Sequence, residues 1–225
     1  MNRIHRHLST VTALTSLERY GKQSSSTYSD GRVINYVYSA SGAKLKVSHK
    51  PSGIGITTTT DYVNGYIFTN NSLSMALTDN GYYTLSSTGD STYHFYLKDH
   101  QGNNRVVVSQ SGSVEQITHY YPYGGVIGDI STLLSDVTKG NNESLQKYKF
   151  EGKELDRTFG LDNYDIHARQ YFSMMPTWDR IDPLAEKYYG ISPYVYCGGD
   201  PVNRMDFLGK DWYSHEDSVE IDGQK

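Results

Sequence analysis

Between Asp30 and Gly128 apolar and polar side chains alternate, and a turn interrupts them at short intervals. Leu45 and Val47 fall on one side of the chain, with Lys44, Lys46 and Ser48 on the other; Tyr93, Phe95 and Leu97 share a side. This is the period of two that belongs to a β-strand, and a slip of one residue would turn the apolar face outward. Turn dipeptides recur at Asp30-Gly31, Ser41-Gly42, Ser52-Gly53, Asn64-Gly65, Asn80-Gly81, Gln101-Gly102, Ser111-Gly112 and Gly124-Gly125, with their glycines 10 to 21 residues apart. That spacing predicts consecutive antiparallel hairpins. The hairpins also resemble one another. Tyr36 to Leu45 and Phe95 to Val106 each run from aromatic residues through a polar glycine turn to a small or amide residue, a basic residue and an aliphatic one, and Gln110 to Ile117 is a looser copy. Self-similarity at a short period indicates a repeat architecture whose units bury their faces against neighbours.

The flanks read differently. Ile4, Leu8, Val11, Leu14 and Leu17 recur at steps of three and four, which predicts one short amphipathic helix in residues 1–27. Arg3, His5, Arg6 and His7 precede Leu8 in the manner of a signal peptide, but Ser9, Thr10, Thr12, Thr15 and Ser16 break the apolar run and no clean small-residue cleavage site follows. The Ser-rich stretch Gln23 to Thr27 reads as a linker. Residues 28–128 form the hairpin strip. Residues 129–147 read as an exposed loop with a short helix around Ile130 to Val137. Residues 148–209 are dense in motifs, and residues 210–225 form a short polar tail.

Composition sharpens this picture. Of 225 residues, 21 are tyrosine, against 6 phenylalanines and 2 tryptophans, and 21 are glycine. Tyrosine suits a half-buried pleated surface, because its ring packs while its hydroxyl finds water or a partner. A net charge of −4 provides no basic field for nucleic acid or an anionic membrane. No apolar run approaches the ~20 residues of a membrane-spanning helix. Cys197 is the sole cysteine, so no internal disulfide and no cysteine-based zinc cluster is expected. The fold class expected is all-β, with short helical turns in the C-terminal third.

The motifs of that third follow in a set order: Tyr148 to Asp156 (YKFEGKELD), Gly160 to Tyr164 (GLDNY), Ala168 to Tyr171 (ARQY), Asp182 to Tyr189 (DPLAEKYY), Ser192 to Tyr196 (SPYVY) and Asp200 to Asn203 (DPVN). The series resembles the RHS-repeat-associated core domain of RHS/YD-repeat proteins. Tyr120 to Gly125 (YYPYGG) and Lys98 to Arg105 (KDHQGNNR) are similar to the repeats that run into that core, so the resemblance covers about residues 28–209. It implies a long β-strip spiralling into a hollow shell, with a core domain that plugs or lines one end. In toxin-bearing members the shell holds a variable C-terminal effector, and in some the core cuts the chain just after itself by aspartate chemistry. The partners implied are upstream RHS repeats or a neighbouring shell protein, and the placement implied is secreted or cell-surface. The chain departs from the family pattern at three points. Tyr171-Phe172-Ser173 stands where Tyr-Asp-Pro is common, His167 replaces a glycine, and the closing signature Asp206-Phe207-Leu208-Gly209 lacks its proline. The 16 residues after Gly209 are too few for a toxin domain, since a core below ~40 residues rarely stands without a staple.

Five sets of residues carry candidate chemistry. Asp182 and Asp206 match, by the resemblance, the aspartates of self-cleavage. Carboxylate chemistry needs one protonated and one ionised group in a shared site. The competing reading of Asp182-Pro183 is a helix cap with proline in the first turn, and Asp200-Pro201 repeats it. His94, His100 and His119 with Asp99 lack the spacing of a metal motif, so no metal is expected. Cys197 reads as a buried structural cysteine, and no Gly-x-Ser-x-Gly elbow is present. Rows of tyrosine read as shell lining or core ahead of a glycan-binding face. Lys147, Lys149, Lys153 and Arg157, alternating with Glu151, Glu154 and Asp156, read as a solvated mixed-charge face. The leading expectation is a structural shell-closing fragment without its own effector and without a cofactor. The alternatives are a residual self-cleaving aspartic protease of the RHS core and a surface adhesion or glycan-binding module. Val33 to Tyr38 is expected to be an exposed edge through which copies self-associate.

Overall fold

The computed structural model describes residues 24–86, 88–127 and 146–214, and the backbone of 11–14. The described chain is all-β, with four short 3-10 turns among its strands. It divides into two compact units: one runs up to Leu77 and takes in Arg157–Leu161, and the other holds Thr78–Asp156 and the chain from Asp162 onward.

The first unit is a meander of antiparallel strands in sequence order: β1 (Val11–Leu14), β2 (Ser25–Tyr28), β3 (Val33–Tyr38), β4 (Lys44–Lys50), β5 (Thr58–Val63), β6 (Tyr66–Thr69) and β7 (Ser72–Thr78). Alternation decides its core. Ile34, Tyr36 and Tyr38 take every second position of β3 and are buried with Tyr28 and Val47, while Asn35 and Val37 between them are exposed. Phe159 packs edge-on to Tyr28 and His49, at 5.8 and 6.1 Å between ring centres, and Arg32 lies 5.0 Å over its ring.

Three expectations change here. Val11–Leu14 is a strand, because Val11, Ala13 and Leu14 pair along β2; the rest of the expected helix lies outside the described residues. Ser25 to Thr27 of the expected linker are part of β2. Val33–Tyr38 is not an edge, since β3 bonds to β2 on one side and β4 on the other, and its backbone groups are therefore spent. The expected loop helix at Ile130 to Val137 also lies outside the described residues.

The second unit continues with hairpins β8 (Gly81–Leu85), β9 (Ser91–Lys98), β10 (Asn104–Ser109) and β11 (Val114–Ile117). Its motif-rich third adds a small sheet of β12 (Leu155–Asp156), β13 (Asn163–Ile166), β14 (Arg169–Phe172) and β15 (Thr177–Trp178), then a pair of β16 (Arg204–Met205) with β17 (Tyr213–Ser214). The tail thus begins inside the core, through β17. Phe150, Tyr164, Tyr171, Trp178 and Tyr196 make one buried aromatic cluster, in which Tyr171 stacks on Tyr196 at 4.2 Å and meets Trp178 at 5.3 Å with the rings tilted.

One turn recurs through the strip. In Ser39 to Ala43, Ser86 to Asp90, Asp99 to Asn103 and Ser109 to Ser113, the fourth residue is a glycine at φ between 77° and 92° whose N–H meets the first carbonyl. The fifth residue's N–H bonds to the first residue's side-chain oxygen, at 3.0 to 3.1 Å. This is a three-residue hairpin loop with a left-handed glycine, and the Ser or Asp that opens it satisfies the backbone locally. It explains why the sequence repeats serine or aspartate three places before glycine.

Gly112 and Gly124 separate two reasons for glycine. Both have positive φ, 86° and 80°; a Cβ on Gly112 would meet nothing within 4 Å, whereas one on Gly124 would lie 2.6 Å from the Phe150 ring. Gly112→Ala is expected to cost about 1 kcal/mol from backbone strain alone. Gly124→Ala is expected to cost about 2–4 kcal/mol, because it adds overpacking against the aromatic cluster. Urea denaturation of the two variants checks the difference.

Candidate functional site

The β13–β14 hairpin turns at His167 and Ala168 and delivers Arg169 into the interior. His167 takes φ 45°, the left-handed region that a glycine would enter freely. The closing segment Asp206 to Gly209 lies against this turn: the Ala168 N–H donates to the Leu208 carbonyl at 3.1 Å. A Cβ on Gly209 would sit 2.4 Å from the Ile166 carbonyl oxygen, so the closing glycine is set by close approach.

Arg169 is the centre of the site. Its Nη2 lies 2.8 Å from Asp182 Oδ2 and 3.0 Å from Asp206 Oδ2, so the two sequence candidates converge on one nitrogen. Its Nε donates to the Gly209 carbonyl at 2.7 Å, its Nη1 donates to the Pro193 carbonyl at 3.4 Å, and its guanidinium lies 4.0 Å over the Trp178 ring. Arg169, Asp182 and Asp206 are 1%, 7% and 1% exposed.

Asp182 is not the cap itself: the 3-10 turn Ala185–Lys187 is capped by Leu184, and Asp182 makes the turn ahead of it, its Oδ1 accepting the Leu184 N–H at 2.7 Å and its carbonyl the Ala185 N–H at 3.1 Å. The other carboxylate oxygen is left for Arg169. Asp200 differs from expectation: it closes the 3-10 turn Cys197–Gly199 instead of opening one, and its carboxylate accepts both contacts from Asn203 Nδ2.

Asp206 accepts the Lys210 N–H at 3.0 Å on Oδ1. Burial nevertheless pushes its pKa up to about 7; Arg169 and the Lys210 N–H oppose the rise, and the charges of Glu151 and Asp182 add to it. Glu151, also raised chiefly by burial, accepts the Tyr196 hydroxyl at 2.5 Å. Lys153 lies 3.4 Å over the Phe207 ring, and burial pulls its pKa down to about 8 against the opposing pull of Glu151, Asp206 and Asp165. The expectation of a solvated face across Lys147 to Arg157 therefore fails: Lys149, Glu151 and Asp156 are buried, because Glu151 at φ 49° turns the motif into the aromatic cluster. Alternating charge in sequence resembles a solvated face, and only the Phe150–Gly152 turn would have signalled otherwise. Cys197 is buried, as expected, and burial raises its thiol pKa.

Asp182 lines a recess together with Tyr188, Pro193 and Trp212 that holds about 10 Å³. That is room for about one water molecule. Tyr188 stacks on Trp212 at 3.9 Å over this opening, and Asp211 beside it accepts the Lys187 ammonium at 2.6 Å and the Tyr188 hydroxyl. The histidines do not gather. His94 engages Glu115 and Thr84, and His119 meets Arg105 at 2.9 Å. Among the described residues no three His, Cys, Asp or Glu are placed to hold a metal ion, and no helix is long and apolar enough to cross a membrane.

No protein-family model matches the chain. Salivary gland surface protein 1 of Aedes aegypti is 35% identical over 114 residues, which is 51% of this chain and 3% of that protein. Among solved structures, TcdB2-TccC3-TEV superposes with a TM-score of 0.69 at 17% identity, over 86% of this chain and 10% of that one. TcdB2-TccC3 without its hypervariable C-terminal region gives 0.66 at 16% identity, over the same shares. A Photorhabdus luminescens Tc holotoxin pore gives 0.66 at 16% identity, over 96% of this chain and 11% of that one. The fold is of the RHS type. The RHS-type likeness is one of fold. The chain spans about a tenth of these solved chains and a smaller share still of the curated relative.

The pH dependence of Asp206 follows from its raised pKa. Between the ordinary carboxylate value of about 4 and about 7, the folded chain holds a proton that the unfolded chain has released, so stability falls as pH rises through that window. Asp206→Asn is expected to flatten the melting temperature across that window relative to wild type. An unchanged slope would contradict the assignment.

Proposed function

We propose that this chain is a wall-closing fragment of an RHS-type shell. The observation that carries this reading is the hairpin strip itself, which leads into a motif-rich third locked by the buried Arg169 and shares its fold with TcdB2-TccC3 over most of its length. Its work is packing: tyrosines at every second position close the interior, and the Asp206 to Gly209 segment clamps the last turns. The partners are further RHS repeats or a neighbouring shell protein, and the surface-protein relative agrees with a secreted or cell-surface setting. Native mass measurement and peptide mapping on the chain recovered from its own cells test this. The expected outcome is a large particle that also contains adjoining hairpin repeats; a free particle of the chain's own mass overturns it.

A second reading rests on Asp182 and Asp206 meeting at one guanidinium nitrogen. A buried carboxyl with pKa near 7 beside an ion-paired one is the asymmetry that acid–base cleavage uses, and the recess at Asp182 admits about one water. In this reading Asp182 activates that water and Asp206 protonates the leaving amide, releasing the tail after the core. Intact mass decides it: a tail-less wild type beside a full-length Asp182→Asn variant is the expected result. Full-length wild type at both acid and neutral pH overturns it.

A further inference from the structure

The hairpins of the second unit bring together three groups that neither reading above uses. Alternation along β8 puts Tyr82 and Thr84 on one face, and register puts His94 of β9 directly opposite Tyr82 and diagonal to Thr84. On β11 the pairing shifts: Gln116 meets Val107 and Val114 meets Val108, leaving Glu115 as the extra residue of a bulge. Bulges re-aim side chains. Here Glu115 reaches across β10, and its Oε2 lies 2.5 Å from His94 Nδ1.

That contact decides the tautomer. The carboxylate can only accept, so Nδ1 carries a proton, and in the neutral imidazole Nε2 then keeps its lone pair. Thr84 Oγ1 lies 2.9 Å from Nε2 and donates to it in that form. The imidazole cannot swing away, because Tyr82 stacks on it at 4.4 Å with planes 10° apart. Thr84 itself is half-buried near the turn of the hairpin, opposite the exposed Thr92. A hydroxyl bonded to a base that is oriented by a carboxylate is the arrangement by which an unreactive hydroxyl becomes a nucleophile, and it is recognised by roles and not by chain order.

We propose that Thr84 is an acyl-acceptor site, primed by His94 and oriented through Glu115, that takes an acyl group from an activated ester. Thr84 Oγ1 forms a bond to the acyl carbonyl carbon while its proton passes to His94 Nε2. The carbon's bond to the leaving oxygen then breaks, and the imidazolium gives its proton to that oxygen. The products are an O-acyl threonine and the freed alcohol, with no change of oxidation state. Glu115 acts through His94 and is a positioning residue.

The test uses the full-length chain and p-nitrophenyl acetate, read by p-nitrophenol release, intact mass and peptide mapping. One acetyl group on Thr84 is expected in the wild type. His94→Gln is expected to slow its appearance by about 10²-fold or more, the usual share of a general base. Thr84→Val is expected to abolish it and Thr84→Ser to restore it, so that loss of folding in the valine variant does not decide the result. Glu115→Asp is expected to keep more of the rate than Glu115→Gln at an equal melting temperature, which a merely structural carboxylate would not produce. Acetylation confined to lysine or tyrosine, equal labelling of wild type and His94→Gln, or no labelling of the folded wild type overturns the proposal.

Discussion

The guanidinium of Arg169 is the contact on which the second unit's C-terminal third depends. It joins four separate stretches of chain: its own hairpin, the Asp182 turn, the Pro193 carbonyl and the closing Asp206 to Gly209 segment. Apart from the hairpin, these stretches are short turns and irregular segments that could not bury themselves alone. A buried charge with two carboxylates, two carbonyls and an aromatic face is satisfied on nearly every side. Such a node adds little net stability over an apolar substitute of the same shape, but loss of one partner strands an ion in the interior and costs about 3–5 kcal/mol. It therefore acts chiefly as a constraint on which arrangement these segments adopt.

The same node sets the electrostatics of the neighbourhood. Glu151, Lys153 and Asp206 share a dry region with Arg169 and Asp182, and in each of the first three burial moves the pKa toward the uncharged form. Desolvation is the largest influence on all three and outweighs the attraction between neighbours. A site that closes a wall and one that moves a proton have this property in common, which is why the two functional readings draw on the same residues.

The strip was legible in the sequence because its rules are local. Period-two alternation placed Val47 on an apolar side and it is core, although Leu45, Phe95 and Leu97 of the expected apolar sides are exposed, and the spaced glycines marked the turns. Asp182 and Asp206 were also legible, through ordered motifs, although nothing in their spacing revealed Arg169 between them. What escaped depends on contacts remote in the chain. The three- and four-residue steps of Leu8, Val11 and Leu14 suit a helix, but strand pairing with Ser26 to Tyr28 wins over Val11 to Leu14. The edge at Val33 disappeared for the same reason. The charged run from Lys147 to Arg157 looked solvated because a strand or helix would expose it, whereas left-handed residues at Glu151 and Phe159 fold it inward and break both periods.

The recurring hairpin turn has an evolutionary consequence. Because its opening Ser or Asp and its glycine satisfy the bend's backbone groups without help from elsewhere, a hairpin can be copied or deleted as a unit while its neighbours keep their pairing partners. Genes encoding such strips can therefore grow or shrink by unequal recombination. The Arg169 node, which ties together residues as much as 40 positions apart, cannot be duplicated piecemeal and must be inherited whole.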